Sequence, residues 1–152
     1  MRDLKGKHFS LLFVLLSLLI VNGACGNKNI VTEMPTGTEQ SKESPGETYG
    51  FTSFDLVIDT RGMKGAILVG FDESSDRTEA TYENKIDNLY LNGNKAMDKL
   101  NTIFEELALE PDMDDEDMVK QVAETFEIKD YKRLKLKIKF KGHDEKQLTF
   151  TK

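Results

Sequence analysis

The sequence predicts an α+β domain, an antiparallel sheet in chain order βββααββ with two helices packed on one face. Three observations predict it. Residues 54–86 place apolar side chains at alternate positions between short turns, residues 94–126 change to helical spacing, and residues 133–150 return to alternation. With 38% hydrophobic residues in a chain of 152, about a hundred residues of this patterning hold one core without disulfides.

Phe54, Leu56 and Ile58 alternate with Asp55, Val57 and Asp59, the period of a half-buried strand, and Thr60-Arg61-Gly62 reads as the turn that ends it. Gly65–Phe71 is apolar on both faces, which suits a central strand, and Asp72–Asp76 turns the chain again. Across Thr78–Ile86, Ala80, Tyr82 and Ile86 are expected on one face, with Glu79, Thr81, Glu83 and Lys85 on the other. Short connections make these three strands an antiparallel meander.

Leu91-Asn92-Gly93 then leads into Ala96, Leu100, Ile103, Phe104 and Leu107 at helical spacing, with Met97 alongside and Asn94 expected as the cap. Pro111 ends that region. Met118, Val119, Val122 and Phe126 define a second, shorter amphipathic helix. Leu134, Leu136, Ile138 and Phe140 alternate with Arg133, Lys135, Lys137, Lys139 and Lys141, the most regular strand signal in the chain, and Gly142–Glu145 turns into a last strand with Leu148 and Phe150. No internal repeat is present.

The start of the chain is read as a delivery signal. Arg2, Lys5 and Lys7 precede an apolar run of thirteen residues, Phe9–Val21, interrupted by Ser10 and Ser17. That is short of the ~20 residues that cross roughly 30 Å of hydrocarbon, and has the form of a secretory h-region. Asn22-Gly23-Ala24-Cys25 follows; a small residue before the one cysteine resembles a bacterial lipobox, with Asn22 where an aliphatic residue is usual. The expectation is a lipoprotein signal peptide over residues 1–24 and a diacylglyceryl group on Cys25, placing the protein on the extracytoplasmic face of the cell membrane. Two acyl chains at ~0.8 kcal/mol per buried methylene anchor stably where one does not. The alternative is cleavage after Gly23, which leaves a secreted protein.

Loss of residues 1–24 takes away Arg2, Lys5, Lys7 and Asp3, leaving 18 basic against 26 acidic residues, net −8. So acidic a protein gains nothing from nucleic acid phosphates, and nucleic acid is excluded as a partner. Residues 25–50 hold few large apolar groups and two of the three prolines, so they are expected to form a disordered tether ahead of a single domain over 51–152. Its 25 residues from Gly26 to Gly50 correspond to a mean reach of roughly 28 Å.

The lipidated start, the Phe54-Asp55-Leu56 strand opening, Leu91-Asn92-Gly93 before a helix with Ala96, and the Tyr131–Phe140 ending together resemble the YusW-like family of small lipoproteins from Gram-positive bacteria. The resemblance implies an address and a fold. It implies no activity, ligand or catalytic residue, and no site besides the acceptor Cys25.

The candidate constellations each have an ordinary explanation. Arg133, Lys135, Lys137, Lys139 and Lys141 put five cations on one strand face, about 7 Å apart, an arrangement suited to an anionic ligand such as a cell-wall polymer. Cross-strand pairing with Asp55, Asp59, Glu79 and Glu83, or protection of a sheet edge by lysine, explains the same pattern. Asp112, Asp114, Asp115, Glu116 and Asp117 offer oxygens to calcium but lack the glycine and distal glutamate of a calcium loop; a helix N-terminus favours such acids. His143 beside Asp144 lies in a turn with no accompanying nucleophile or oxyanion motif. Tyr82, Tyr90, Phe104 and Phe126 suit a core as well as a pocket, and Met97, Met113 and Met118 are too sparse for copper. No metal site or cofactor is expected.

The leading expectation is therefore a non-enzymatic, membrane-tethered domain that binds an envelope protein or modulates an envelope enzyme or receptor. The alternative is a small-ligand or wall-polymer binder using strand 133–141. An enzyme working with carboxylates alone ranks third.

Overall fold

Two ten-residue strands, β2 (Phe51–Thr60) and β6 (Tyr131–Phe140), run antiparallel in the middle of the sheet. The computed structural model describes residues 28–33, 44–74 and 76–152. The expected signal peptide, Cys25 and the middle of the expected tether lie outside the described residues. The remaining elements are β1 (Ile30–Val31), α1 (Pro45–Tyr49), β3 (Ile67–Glu73), β4 (Thr78–Asn84), β5 (Leu89–Asn92), α2 (Asn94–Leu107), α3 (Asp115–Thr125) and β7 (Glu145–Thr151). The strands form one seven-stranded sheet in the spatial order β1-β4-β3-β2-β6-β7, with β5 also on β4, and every pairing is antiparallel.

This is an α+β fold, with corrections to the expected order βββααββ and to its two helices. The described chain runs β-α-ββββ-αα-ββ and has three helices. The extra strand of the meander is β5. Asn84 ends β4, its Oδ1 accepting from the N–H of Ile86 at 3.0 Å and of Asp87 at 3.2 Å, and Asn88 takes a left-handed φ of 54°. The chain thus reverses one turn earlier than the alternation suggests. Ile86 falls in that turn and is 53% exposed, not on the buried face.

Two pieces of the segment read as a tether are held against the sheet. Ile30 and Val31 pair with Glu79 and Thr78 of β4, on the edge that β5 occupies further along. Asn94 does not cap α2 with its side chain; Gly93 is the N-cap residue, and the Asn94 Oδ1 accepts from the N–H of Thr32 at 2.6 Å and of Glu33 at 3.1 Å. Gly93 has φ 57° and ψ −133°, and a Cβ there would stand 2.7 Å from the Ile30 carbonyl oxygen, so glycine is required twice over. Short helix α1 begins with Pro45 at a first-turn position and ends at Gly50 with φ 79°. Its Gly46 N–H donates to Glu73 Oε2 at 2.5 Å, and the Tyr49 hydroxyl donates to Asn101 Oδ1 on α2.

The inward side chains of β2, β3, β4 and β6 share one buried cluster with Ala96, Met97, Leu100, Ile103, Phe104 and Leu107 of α2 and Met118, Val119, Val122 and Ala123 of α3. Phe104 is at its centre, with ring centroids 5.0, 5.2 and 5.5 Å from Phe51, Phe54 and Phe71 and 5.3 Å from Tyr49. Edge-to-face contacts of this kind add to the burial of apolar area. Among the described residues no helix is long and apolar enough to cross a membrane.

The β2–β6 ladder carries two register shifts, one near each end. At the first, Phe51 pairs with Phe140 and Ser53 with Lys139, leaving Thr52 extra on β2; at the second, Asp59 pairs with Arg133 and Thr60 with Tyr131, leaving Lys132 extra on β6. Each is a bulge, which bends the strand and re-aims a side chain.

Candidate functional site

The residues that alternate with the core on β6 form a basic column. Arg133, Lys135, Lys137 and Lys139 pair across β2 with Asp59, Val57, Asp55 and Ser53. Beyond β2 the same rows continue to Asp72 and Glu79 and, through Leu68, to Glu83, so the exposed sheet surface is basic along β6 and acidic across β2 to β4. Cross-strand pairing thus places Asp55 and Asp59 opposite cations, while β2 and β3 stand between β6 and both Glu79 and Glu83.

The ladder cations differ in their partners. Lys137 Nζ lies 2.8 Å from Glu145 Oε2, raising the ammonium's pKa and lowering that of the carboxyl. Lys141 follows the end of β6 and donates to Glu47 Oε1 of α1 at 2.9 Å. Arg133 is paired with Asp59. The side chains of Lys135 and Lys139 form no ion pair among the described residues. Burial pushes the Asp55 carboxyl above its ordinary value, opposed by Lys137.

Asp59 is 5% exposed, a buried carboxylate at the end of β2. Its Oδ1 accepts from Gly65 N–H at 2.7 Å, and its Oδ2 accepts from Arg133 Nε at 2.8 Å with Nη2 at 2.5 Å. The Gly65 amide, then the Arg133 guanidinium, hold the carboxyl below the usual range against the effect of burial. The intervening loop is closed by the Thr60 N–H donating to the Met63 carbonyl at 2.9 Å. Beside it opens a cavity of about 550 Å3 to which Arg61, Lys64, Lys132 and Arg133 bring four cations and Asp59 the one carboxylate. Arg61 Nε also lies 3.8 Å from Asp130 Oδ1, both side chains largely exposed.

The other sequence candidates are dispersed. Asp114 is the N-cap residue of α3 without a side-chain capping bond, and Asp115, Glu116 and Asp117 fill its first turn. Lys146 pairs with Asp115 at 2.8 Å and donates to the Met113 carbonyl at 3.0 Å. Among the described residues no three His, Cys, Asp or Glu side chains are arranged to hold a metal. His143 is exposed in the β6–β7 turn. Tyr82, Phe104 and Phe126 are buried in the core, as are Met97 and Met118, whereas Tyr90 is 53% exposed.

Arg61, Lys64 and Lys132 were not singled out by sequence. A signal for Lys132 exists: Tyr131 and Leu134, both buried, are separated by two residues rather than one. A strand can keep both inward only by bulging between them, and Thr52-Ser53 between Phe51 and Phe54 carries the same mark.

Fold and site of the described residues define an α+β architecture on a seven-stranded antiparallel sheet, with charge sorted on the open sheet surface and a cationic cavity at one end. The family model described as YusW-like protein matches residues 52–142, from β2 through β6, and the chain belongs to that family. No curated protein matches it, and no solved structure does.

Proposed function

We propose that this chain is an extracytoplasmic lipoprotein of the Gram-positive envelope, held on the membrane by a lipid at Cys25, whose domain binds an envelope protein or modulates an envelope enzyme or receptor without catalysing a reaction. The observation that carries the reading is the order of the N-terminal features. A basic start, an apolar run and Cys25 are followed, five residues on, by a strand docked on the sheet edge. Five extended residues span at most ~18 Å. An anchor at Cys25 would therefore keep the β1–β4 edge near the head groups, closer than a free tether from Gly26 to Gly50 would. Such placement suits a module that acts on membrane neighbours.

Cys25→Ser tests the anchor by fractionation: the variant is expected in the soluble or secreted fraction, and retention in the membrane fraction refutes the reading. Crosslinking of the intact protein in its envelope, with that variant as control, tests the partner. One recurrent protein lost in the control supports an interaction module.

The second reading, an anionic ligand or wall polymer bound along strand 133–141, is favoured by Lys135 and Lys139, whose side chains form no ion pair among the described residues. Charge reversal at Lys135 and Lys137 is then expected to abolish retention on wall polymer. Unchanged retention disposes of it.

A further inference from the structure

The cavity between the β2–β3 loop and the start of β6 plays no part in the anchored-module reading. We propose that it binds a phosphate ester, with Lys64, Lys132 and Arg133 holding the phosphate and Arg61 beside them. The inference goes beyond the anchored-module reading and stands without the anchor.

Charge is the first argument. The chain has a net charge of −6, yet four cations line this cavity against a single carboxylate. That carboxylate is already engaged by the Gly65 amide and by Arg133. Asp59 offsets one of the four cations and Asp130 stands beside Arg61, so Lys64 and Lys132 leave the cavity with an excess of positive charge in a chain that is acidic as a whole.

The backbone is the second argument. In a regular strand Lys132 and Arg133 would project to opposite faces of the sheet. Lys132 is instead the extra residue of the bulge opposite Asp59 and Thr60, and both side chains line the cavity. Across from them, Lys64 immediately precedes Gly65, whose amide is fixed on Asp59 and whose φ is 54°. Asp59 thus pins both walls.

The ligand class follows from the donors. Arg133 is oriented by its Nε and Nη2 contacts with Asp59, which leaves its other N–H donors for a ligand. A planar guanidinium beside compact ammonium groups suits a tetrahedral anion with several charged oxygens. A lone carboxylate would be satisfied by Arg133 by itself. At about 550 Å3 the cavity also has room for an organic substituent on the phosphate.

The test uses the full-length chain in neutral detergent, with backbone amide shifts followed during titration with inorganic phosphate and glycerol 3-phosphate, against chloride at equal ionic strength. Saturable, phosphate-specific shifts are expected at Arg61–Gly65 and Lys132–Arg133. The double variant Lys64→Gln, Lys132→Gln should weaken affinity at least about tenfold, because both side chains are exposed and their loss leaves the fold intact. Lys135→Gln with Lys139→Gln, on the ladder, should change it less than about twofold. Arg133 is kept, since its removal would strand the buried Asp59. A further arm offers phosphatidylglycerol vesicles against phosphatidylcholine: saturation by glycerol 3-phosphate assigns a free ester, and saturation by the anionic vesicles alone assigns a lipid head group. Shifts that follow ionic strength only, or equal weakening by the ladder variant, overturn the proposal.

Discussion

Asp59 and Arg133 stand directly opposite each other on β2 and β6, and the Asp59 carboxylate joins that pair to the β2–β3 loop through the Gly65 amide. One buried side chain therefore fixes the register at the end of the central ladder, the path of a loop, and the orientation of the guanidinium that faces the cavity.

Asp59→Asn keeps the shape but removes the charge, and is expected to cost ~2 kcal/mol at pH 7, in the range for hydrogen bonds to charged groups. Because the folded carboxyl titrates below its ordinary value, its stabilisation is complete above an unfolded pKa of about 4 and is lost as pH falls through the lowered folded value. Urea melts of both proteins between pH 7 and pH 2 should show the difference closing at the acid end. A gap that stays constant over that range would sink the argument.

Tyr49 is half-buried, and burial, assisted by Glu105, pushes its phenol up to about 12. A raised folded value means that the neutral phenol is favoured by the fold. Its stabilisation is fully present below an unfolded pKa of about 10 and is lost as pH rises from there through about 12. Ultraviolet titration of the phenolates should show a late-titrating component that loses one phenol in Tyr49→Phe and keeps that of Tyr82, which burial also raises. An undiminished late component in that variant would mean that Tyr49 titrates with the exposed phenols.

Gly93→Ala places a methyl group against the Ile30 carbonyl and forces a non-glycine residue to φ 57°. The cost is expected to be ~2–3 kcal/mol, or roughly 8–12 °C in Tm for a domain of this size. Ala80, whose amide donates to the Asn29 carbonyl at 2.8 Å, should exchange its hydrogen faster as β1 detaches. A variant with unaltered Tm and exchange would mean that β1 contributes nothing to the edge.

Phe104→Ala removes the ring shared by Phe51, Phe54, Phe71 and Tyr49. Core truncations of this kind cost ~3–5 kcal/mol, a large part of the ~5–15 kcal/mol available to a domain. Thermal melting should place Phe104→Ala far below wild type, and Phe104→Leu between the two. Equal Tm values for Phe104→Ala and wild type would contradict the central position of this ring.

Much of the fold is legible because burial imposes a period. Leu134, Leu136, Ile138 and Phe140 announce β6 by alternation, and Leu100, Ile103, Phe104 and Leu107 announce α2, since a one-sided element shows its hidden face at every turn or pleat. Elements too short to show a period escape this reading. Leu89–Asn92 is four residues, Ile30–Val31 two, and Pro45–Tyr49 five. The last two depend on partners far along the chain, Asn94 for Thr32 and Glu73 for Gly46.

The sequence by itself determined the α+β class, most of the core residues though not Phe51, with Ile86 misplaced, and the alternation that sets the basic column on β6, because each follows from the local period of apolar and charged side chains. Only the tertiary structure decided that β1 and β5 share an edge of β4, that Asp59 is buried and bonded to Gly65 and Arg133, and that Lys132 turns to join Arg61 and Lys64. The physical reason is sequence distance. Asp59 and Arg133 lie 74 positions apart, and no local rule of propensity or period reports which charges a ladder and its bulges will bring together.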